Sequence, residues 1–245
     1  MNDRGDAQAA VTILEDRDLV AVLERFEFGD PGPDKPSIAP PTRTPSVRPE
    51  QRAALDAVLA HLERDHSFHK DAVAGVVLLG RDHNRLAVYT QWRTPDSGPP
   101  VEVPAPWSVA DVLLRAEPTT RVLETRTYTV EFTLGHRQPR HARRLGGPLV
   151  HFGMFSFPPA EQDVLLGLAR QHAPGSLVTP GLTSVNFHRS LDRTRALNLG
   201  VWESFDNFMK LLDQPGFTDE QVYWEGVAQF HPDYFDVAHA WGPAS

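Results

Sequence analysis

The order of hydrophobic segments along this chain occurs twice, and that doubling limits the folds open to it. Residues 19–28 (LVAVLERFEF) read as a strand. Pro49 suits the first turn of a helix over 49–65, with Leu55, Val58, Leu59 and Leu62 on one side. Residues 73–79 and 85–92 read as strands joined by a turn at 81–84, followed by a short helix near 107–115 and a long strand over 121–134. The order then recurs: strand 149–157, helix 159–172, strands 182–190 and 195–202, a helix from 205 with another near 218–227, and a closing strand 233–241. Each half is strand–helix–strand–strand–helix–strand, a ferredoxin-like split unit.

The spacing supports the repeat. Trp92 and Trp202 each end the third strand of their half, separated by 110 positions. From Phe28 to Trp92 is 64 residues, against 45 from Phe157 to Trp202. The excess of 19 matches a proline-rich stretch over 29–49, predicted to be a surface excursion because prolines at 31, 33, 36, 40, 41, 45 and 49 exclude regular structure. A sheet with helices on one face leaves its other face bare, so two such sheets are expected to close on each other around a cavity. The predicted class is α+β: two tandem ferredoxin-like repeats whose antiparallel sheets close into a pseudo-dimeric α+β barrel. The predicted division is a flexible N-terminus (1–18), a first, diverged repeat (19–134), a basic linker (135–147) and a second repeat (148–241). The basic run HRQPRHARR (136–144) reads as a solvated hinge, with grip on a flavin phosphate or a carrier partner as the other reading.

Composition removes several function classes. A net charge of −8 argues against a nucleic-acid binder. Without cysteine there is no disulfide, thiol nucleophile or thiolate metal site. No HExxH spacing suggests a metal, and no GxGxxG stands between a strand and a helix to hold a dinucleotide. The start lacks the basic and apolar runs of a signal peptide, and no stretch nears the ~18–20 apolar residues of a membrane span, so a cytoplasmic protein off the membrane is expected.

The candidate site centres on ALNLGVWESFDNFMKLL (196–212). By strand alternation Leu197, Leu199 and Val201 form one dry face. Asn198, Gly200 and Trp202 form the other, an amide, a gap and an indole N–H suited to a flat, oxygenated molecule. The surrounding segment, PGLTSVNFHRSLDRTRALNLGVWESFDNFMKLL (180–212), resembles the antibiotic biosynthesis monooxygenase family of dimeric α+β barrel proteins, through Pro180-Gly181, His188-Arg189-Ser190-x-Asp192 and Asn198-x-x-x-Trp202-Glu203-Ser204. FHPDYFDVAHAW (230–241) is similar to the family's closing strand, and the likeness covers roughly residues 148–241. Residues 19–134 look like a diverged copy in which Gln91-Trp92-Arg93 echoes Val201-Trp202-Glu203 while Val88 stands at the position of Asn198.

The family includes anthrone oxidases and polyketide cyclases. The two-repeat length resembles angucycline ring-opening oxygenases, whose reported dependence is on reduced flavin. The resemblance implies an oxygenase of aromatic polyketide biosynthesis using O2, hydroxylating or opening a ring of a polycyclic phenol or quinone. No tightly bound cofactor is expected; reduced flavin (FADH2 or FMNH2) would be a diffusible co-substrate supplied by a separate flavin reductase. The fused repeat is expected to be a monomer or a homodimer.

Asn198 and Trp202 are donors suited to a developing oxyanion, and neither brings a charge that burial would penalise. His188, on the adjoining strand, is the expected base, with Asn186 sharing its face. His151, His239 and Trp92 are further substrate-binding candidates. Each has a structural alternative: Trp202 as a core anchor, Asn198 pairing with backbone, His188 as a strand-end residue. A cyclase that uses the same cavity without oxygen, and a non-enzymatic protein that binds pathway intermediates, are the alternative functions.

Overall fold

The computed structural model describes residues 10–29, 47–65, 71–135, 143–146, 149–212 and 222–242. The first half forms β2 (Leu19–Glu27), α1 (Pro49–Arg64), β3 (Ala72–Gly80), β4 (Arg85–Arg93), α2 (Ala110–Ala116) and β5 (Arg121–Gly135). The second forms β7 (Leu149–Ser156), α3 (Gln162–Ser176), β8 (Leu182–Ser190), β9 (Arg195–Trp202), α4 (Phe205–Leu212) and β10 (Gln229–Trp241). Two short strands, β1 (Ala10–Ile13) and β6 (Arg143–Gly146), lie outside the repeats and pair with each other.

Both repeats obey one pairing rule, with the fourth strand beside the first, the first beside the third, and the third beside the second. The edges then meet across the repeats, β3 against β10 and β5 against β8, so eight antiparallel strands close into a barrel in the order β10-β3-β4-β2-β5-β8-β9-β7. Every backbone edge of either sheet finds a partner, which removes the liability of open strands. The doubling reaches single side chains. Gln51 of α1 donates from its Nε2 to the carbonyls of Gly80 and Arg85 at 3.0 and 2.7 Å. Gln162 of α3 does the same to Ser190 and Arg195 at 3.0 and 3.3 Å. Each glutamine is buried and ties the first turn of its helix to the β-hairpin of its own repeat.

Alternation sorts the side chains into three apolar layers. Ala21 and Leu23, Val76 and Leu78, Ala87 and Tyr89, Val150 and Phe152, and Leu197, Leu199 and Val201 fill the barrel interior. The opposite parity of β2, β3 and β4 packs under α1 and α2, and that of β7, β8 and β9 under α3 and α4. Fully burying one Leu, Val or Phe side chain contributes about 1.5–3 kcal/mol, so these layers dominate the stabilisation.

Three expectations are corrected. The barrel interior is a packed core, not a substrate cavity, because β1 adds Val11 and Ile13 to it. Residues 10–14 are therefore not a loose terminus. The side chain of Gln91 accepts from the Leu14 N–H and donates to the Leu14 carbonyl, binding that segment to β4. Third, residues 223–227 form turns, not helix. Residues 143–146 of the predicted linker are strand; the rest of the basic run, most of the proline-rich excursion and residues 1–9 and 213–221 lie outside the described residues.

Candidate functional site on the outer face of the second repeat

Strand register brings the candidate residues together. On β7 and β9, His151 lies opposite Gly200, Gly153 opposite Asn198, and Leu149 opposite Trp202. On the other side of β7, Tyr234 of β10 is paired with His151. All point away from the barrel interior, toward the α4 side of the sheet. The expected grouping of Asn198, Gly200 and Trp202 on one face and three apolar residues on the other is what the strand shows; the polar face, however, looks toward the repeat's own helices rather than into the barrel.

Aromatic rings close over this face. His151 stacks on Tyr234 with centroids 5.1 Å apart, and Phe208 of α4 stands 5.1 Å from Trp202, 5.0 Å from Tyr234 and 5.9 Å from His151. Phe230 covers the other end, 6.3 Å from His151 and within 3.0 Å of where a Cβ on Gly153 would lie. Inside this shell three polar atoms are buried without any hydrogen-bond partner: Nε2 of His151, Oδ1 of Asn198 and Nε1 of Trp202. A buried polar group left unpaired costs about 1–3 kcal/mol. Three such atoms share this one face. Burial also disfavours the charged imidazole, lowering the His151 pKa to about 4, against a smaller opposing pull from Asp233. The ring is neutral near pH 7.

His188, the expected base, is elsewhere. It points into the barrel, and both its nitrogens are engaged. Nδ1 faces the carbonyls of Asn186 and Leu197 at 3.0 and 3.4 Å, so it carries the proton. Nε2 then accepts from the Tyr89 hydroxyl at 2.9 Å. The sheet separates His188 from Asn198 and Trp202, and the role expected of it is corrected to that of a satisfied core histidine. The parity that relates Asn186 to His188 is present, but it takes Asn186 inward too, where its amide donates to Ser184 and to the Leu199 carbonyl. His239, beyond a register shift at Val237/His239, pairs with Val77 and stacks on Trp241 on the first repeat's outer side. Trp92 is buried beneath the first repeat's helices and stacks on Trp107, 5.0 Å away.

The first repeat carries the same geometry with different chemistry. Strand pairing places Val22 at the position of His151, Glu24 at Gly153, Val88 at Asn198, Thr90 at Gly200 and Thr127 at Tyr234. Trp92 donates its indole N–H to Thr90 Oγ1 at 2.6 Å. Glu24 accepts from Ser108 and from the Val109 N–H at 2.8 Å, holding the entry to α2. Burial raises its pKa to about 7, against these hydrogen bonds. Sequence reasoning missed Tyr234, Phe208, Phe230 and Gly153 as neighbours of the site. The interrupted alternation of LVHFGMFS, with Val150, Phe152 and Met154 on one parity and His151 and Gly153 on the other, carried part of that signal.

A pocket of about 340 Å³ lies at the barrel mouth, lined by Arg25, Glu124, Arg126, Met154 and Arg195 among others, apart from the cluster on the outer face. Arg25 there pairs with Asp233 at 3.0 Å and Glu124 at 3.3 Å. No helix among the described residues is long and apolar enough to cross a membrane.

No protein-family model and no curated protein matches this sequence. Solved structures do. An anthrone oxidase-like protein matches with a TM-score of 0.68 at 14% identity, over 96% of this chain and 97% of its own. A candidate monooxygenase from Fusobacterium nucleatum matches at 0.60 with 6% identity, over 93% and 95% of the two chains. One from Lactobacillus acidophilus matches at 0.54, again with 6% identity, over 91% and 96%. The chain therefore has the fold of anthrone oxidase-like and monooxygenase-like α+β barrel proteins, as the sequence resemblance implied.

Proposed function

We propose that this protein is an oxygenase acting on a polycyclic aromatic phenol or quinone of the aromatic polyketide, angucycline-type class, and that the outer face of the second repeat is its active site. One observation carries the reading: the unpartnered His151 Nε2, Asn198 Oδ1 and Trp202 Nε1 gathered under aromatic rings. A flat ligand with a carbonyl and a hydroxyl answers all three. The Trp202 N–H donates to a carbonyl or developing oxyanion, Asn198 Oδ1 accepts a hydroxyl proton, and neutral His151 accepts a proton from the reacting carbon or phenol. Phe208, Phe230 and Tyr234 supply stacking surface and keep water out.

For an anthrone-type substrate the chemistry balances with O2 alone. The base removes a proton, the carbanion passes one electron to O2, and the resulting radical pair combines into a peroxide that takes up a proton. Loss of water from the hydroperoxide then leaves a new carbonyl. Among the described residues named at this face none is a cation that could hold a flavin phosphate; a diffusible reduced flavin from a separate reductase would act only as an outside source of electrons.

Oxygen uptake with anthrone, with and without FAD, NADH and a flavin reductase, tests the proposal after subtraction of flavin-derived peroxide. Enzyme-dependent uptake in either arm supports an oxygenase. Silence in both, together with turnover of an uncyclised polyketide chain under nitrogen, replaces it with a cyclase.

A further inference from the structure

The two repeats present one face in two versions, and one of the positions at which they differ lies beside the indole. In the first, Thr90 takes up the indole proton of Trp92, so that indole is satisfied from within the protein. In the second, the equivalent residue is Gly200, and the Trp202 N–H has no partner. Glycine is costly at this place. It sits inside a buried strand between two neighbours, where a β-branched residue packs better and orders the chain more cheaply. Nothing local demands it. Its φ is not in the left-handed region, and a Cβ there would meet its nearest neighbours, the His151 carbonyl, Trp202 Nε1 and His151 Nδ1, at an ordinary 3.7–3.8 Å. The backbone and the space accept a Cβ, and a threonine would carry a hydroxyl beside the indole as Thr90 does.

We propose that Gly200 is the residue that keeps the second repeat's site receptive: its missing side chain leaves the Trp202 N–H free for a ligand oxygen, and a hydroxyl at this position closes the site by satisfying the indole from within. Thr90 is then the closed state of the same switch position, fixed in the first repeat. The inference deepens the proposed function and rests on it for the identity of the ligand, but the state of the indole proton is independent of any ligand. Gly200 is a positioning residue, since it acts through Trp202. The chemistry excluded by a hydroxyl at 200 is that of a carbonyl or oxyanion acceptor at the indole.

The test compares wild type with Gly200→Ala and Gly200→Thr, all full length. Each is first read without ligand, by the indole N–H resonance assigned through Trp202→Phe, and by thermal midpoint. Gly200→Thr is expected to shift the Trp202 N–H downfield, slow its hydrogen exchange and raise the midpoint, while Gly200→Ala leaves the N–H resonance in place. Affinity for 1-hydroxyanthraquinone is then expected to fall about tenfold or more in Gly200→Thr, as one strong hydrogen bond to the ligand is lost, and to stay near wild type in Gly200→Ala. An unmoved indole resonance in folded Gly200→Thr overturns the inference. So does equal loss of affinity in Ala and Thr, which makes position 200 a matter of volume alone. A wild-type protein that neither binds the probe nor consumes oxygen with anthrone, while the indole shift occurs as expected, overturns the proposed function and leaves the hydrogen-bond switch standing.

Discussion

At the scale of single residues, two histidines with similar titration play different parts because of what their nitrogens meet. Burial lowers both to a pKa of about 4. His188 has Tyr89 on one nitrogen and backbone carbonyls at the other, whereas His151 keeps Nε2 open. Replacing His188 by Gln should therefore cost stability, about 1–3 kcal/mol for the Tyr89 hydroxyl left unpaired, and leave turnover unchanged wherever the protein is folded. Denaturant titration and oxygen uptake on the same preparation check both halves. If His151 is the base, the working form is the neutral ring, which is lost as pH falls through its pKa. The acid limb of kcat/KM should then bend near pH 4, not near the 6.5 of an ordinary histidine, and should disappear in His151→Gln along with most of the rate. The sequence made Asn198, Trp202 and Gly200 legible because a strand's alternation is independent of its surroundings. It did not say which way that face looks. Leu197, Leu199 and Val201 are equally suited to a barrel interior or a helix layer, and the choice depends on pairings with β7 and β8 that are distant in sequence. His188, expected to serve that face from the adjoining strand, does not reach it, since its register against Leu197 takes it inward.

Among elements, the doubling was readable from periodicity and spacing, and it extends to features that periodicity cannot reveal. Gln51 and Gln162 are each a single polar residue at a helix start, unremarkable in sequence, yet each clamps a hairpin through two backbone carbonyls. Gln51→Ala and Gln162→Ala should each destabilise by about 1–3 kcal/mol, and by similar amounts, because each leaves buried carbonyls short of a donor. Urea midpoints measure this, and a large inequality would break the equivalence of the two clamps. The ribbon of β1 and β6 was not legible. Four-residue strands at a polar terminus and in a basic run carry too little pattern, and only the burial of Val11 and Ile13 in the core cluster that holds Leu23, Phe152 and Leu199 explains why those apolar residues are there.

For the whole molecule, buried titratable groups set opposing pH slopes. His151 and His188 have folded pKa values of about 4, below the 6.5 of an unfolded histidine. Their contribution is fully present above about pH 6.5 and is lost as pH falls to about 4, by roughly 3 kcal/mol per histidine at most. Glu24 acts in the other direction: raised from 4.5 to about 7, it favours the fold below pH 4.5 and loses that contribution as pH rises through 7. Chemical denaturation across this range should show a shallower acid limb in His188→Gln, and Glu24→Gln should remove the decline between pH 4.5 and 7. A closed barrel made within one chain also lets the repeats diverge, as two copies of one subunit could not. One face keeps His151, Asn198, Gly200 and Trp202; its counterpart carries Val22, Val88, Thr90 and a satisfied Trp92.

In the proposed function only the second repeat's outer face works on substrate, and paired substitution in the two repeats separates that from a site in each. Anthrone-dependent oxygen uptake should fall about 100-fold in Trp202→Phe, the usual cost of removing one donor from an oxyanion site, should fall markedly too in Asn198→Ala, which loses the acceptor for the substrate hydroxyl, and should remain near wild type in Val88→Ala and Trp92→Phe. Equal losses from the two repeats, or a loss in folded His188→Gln as deep as that in Asn198→Ala, would contradict it.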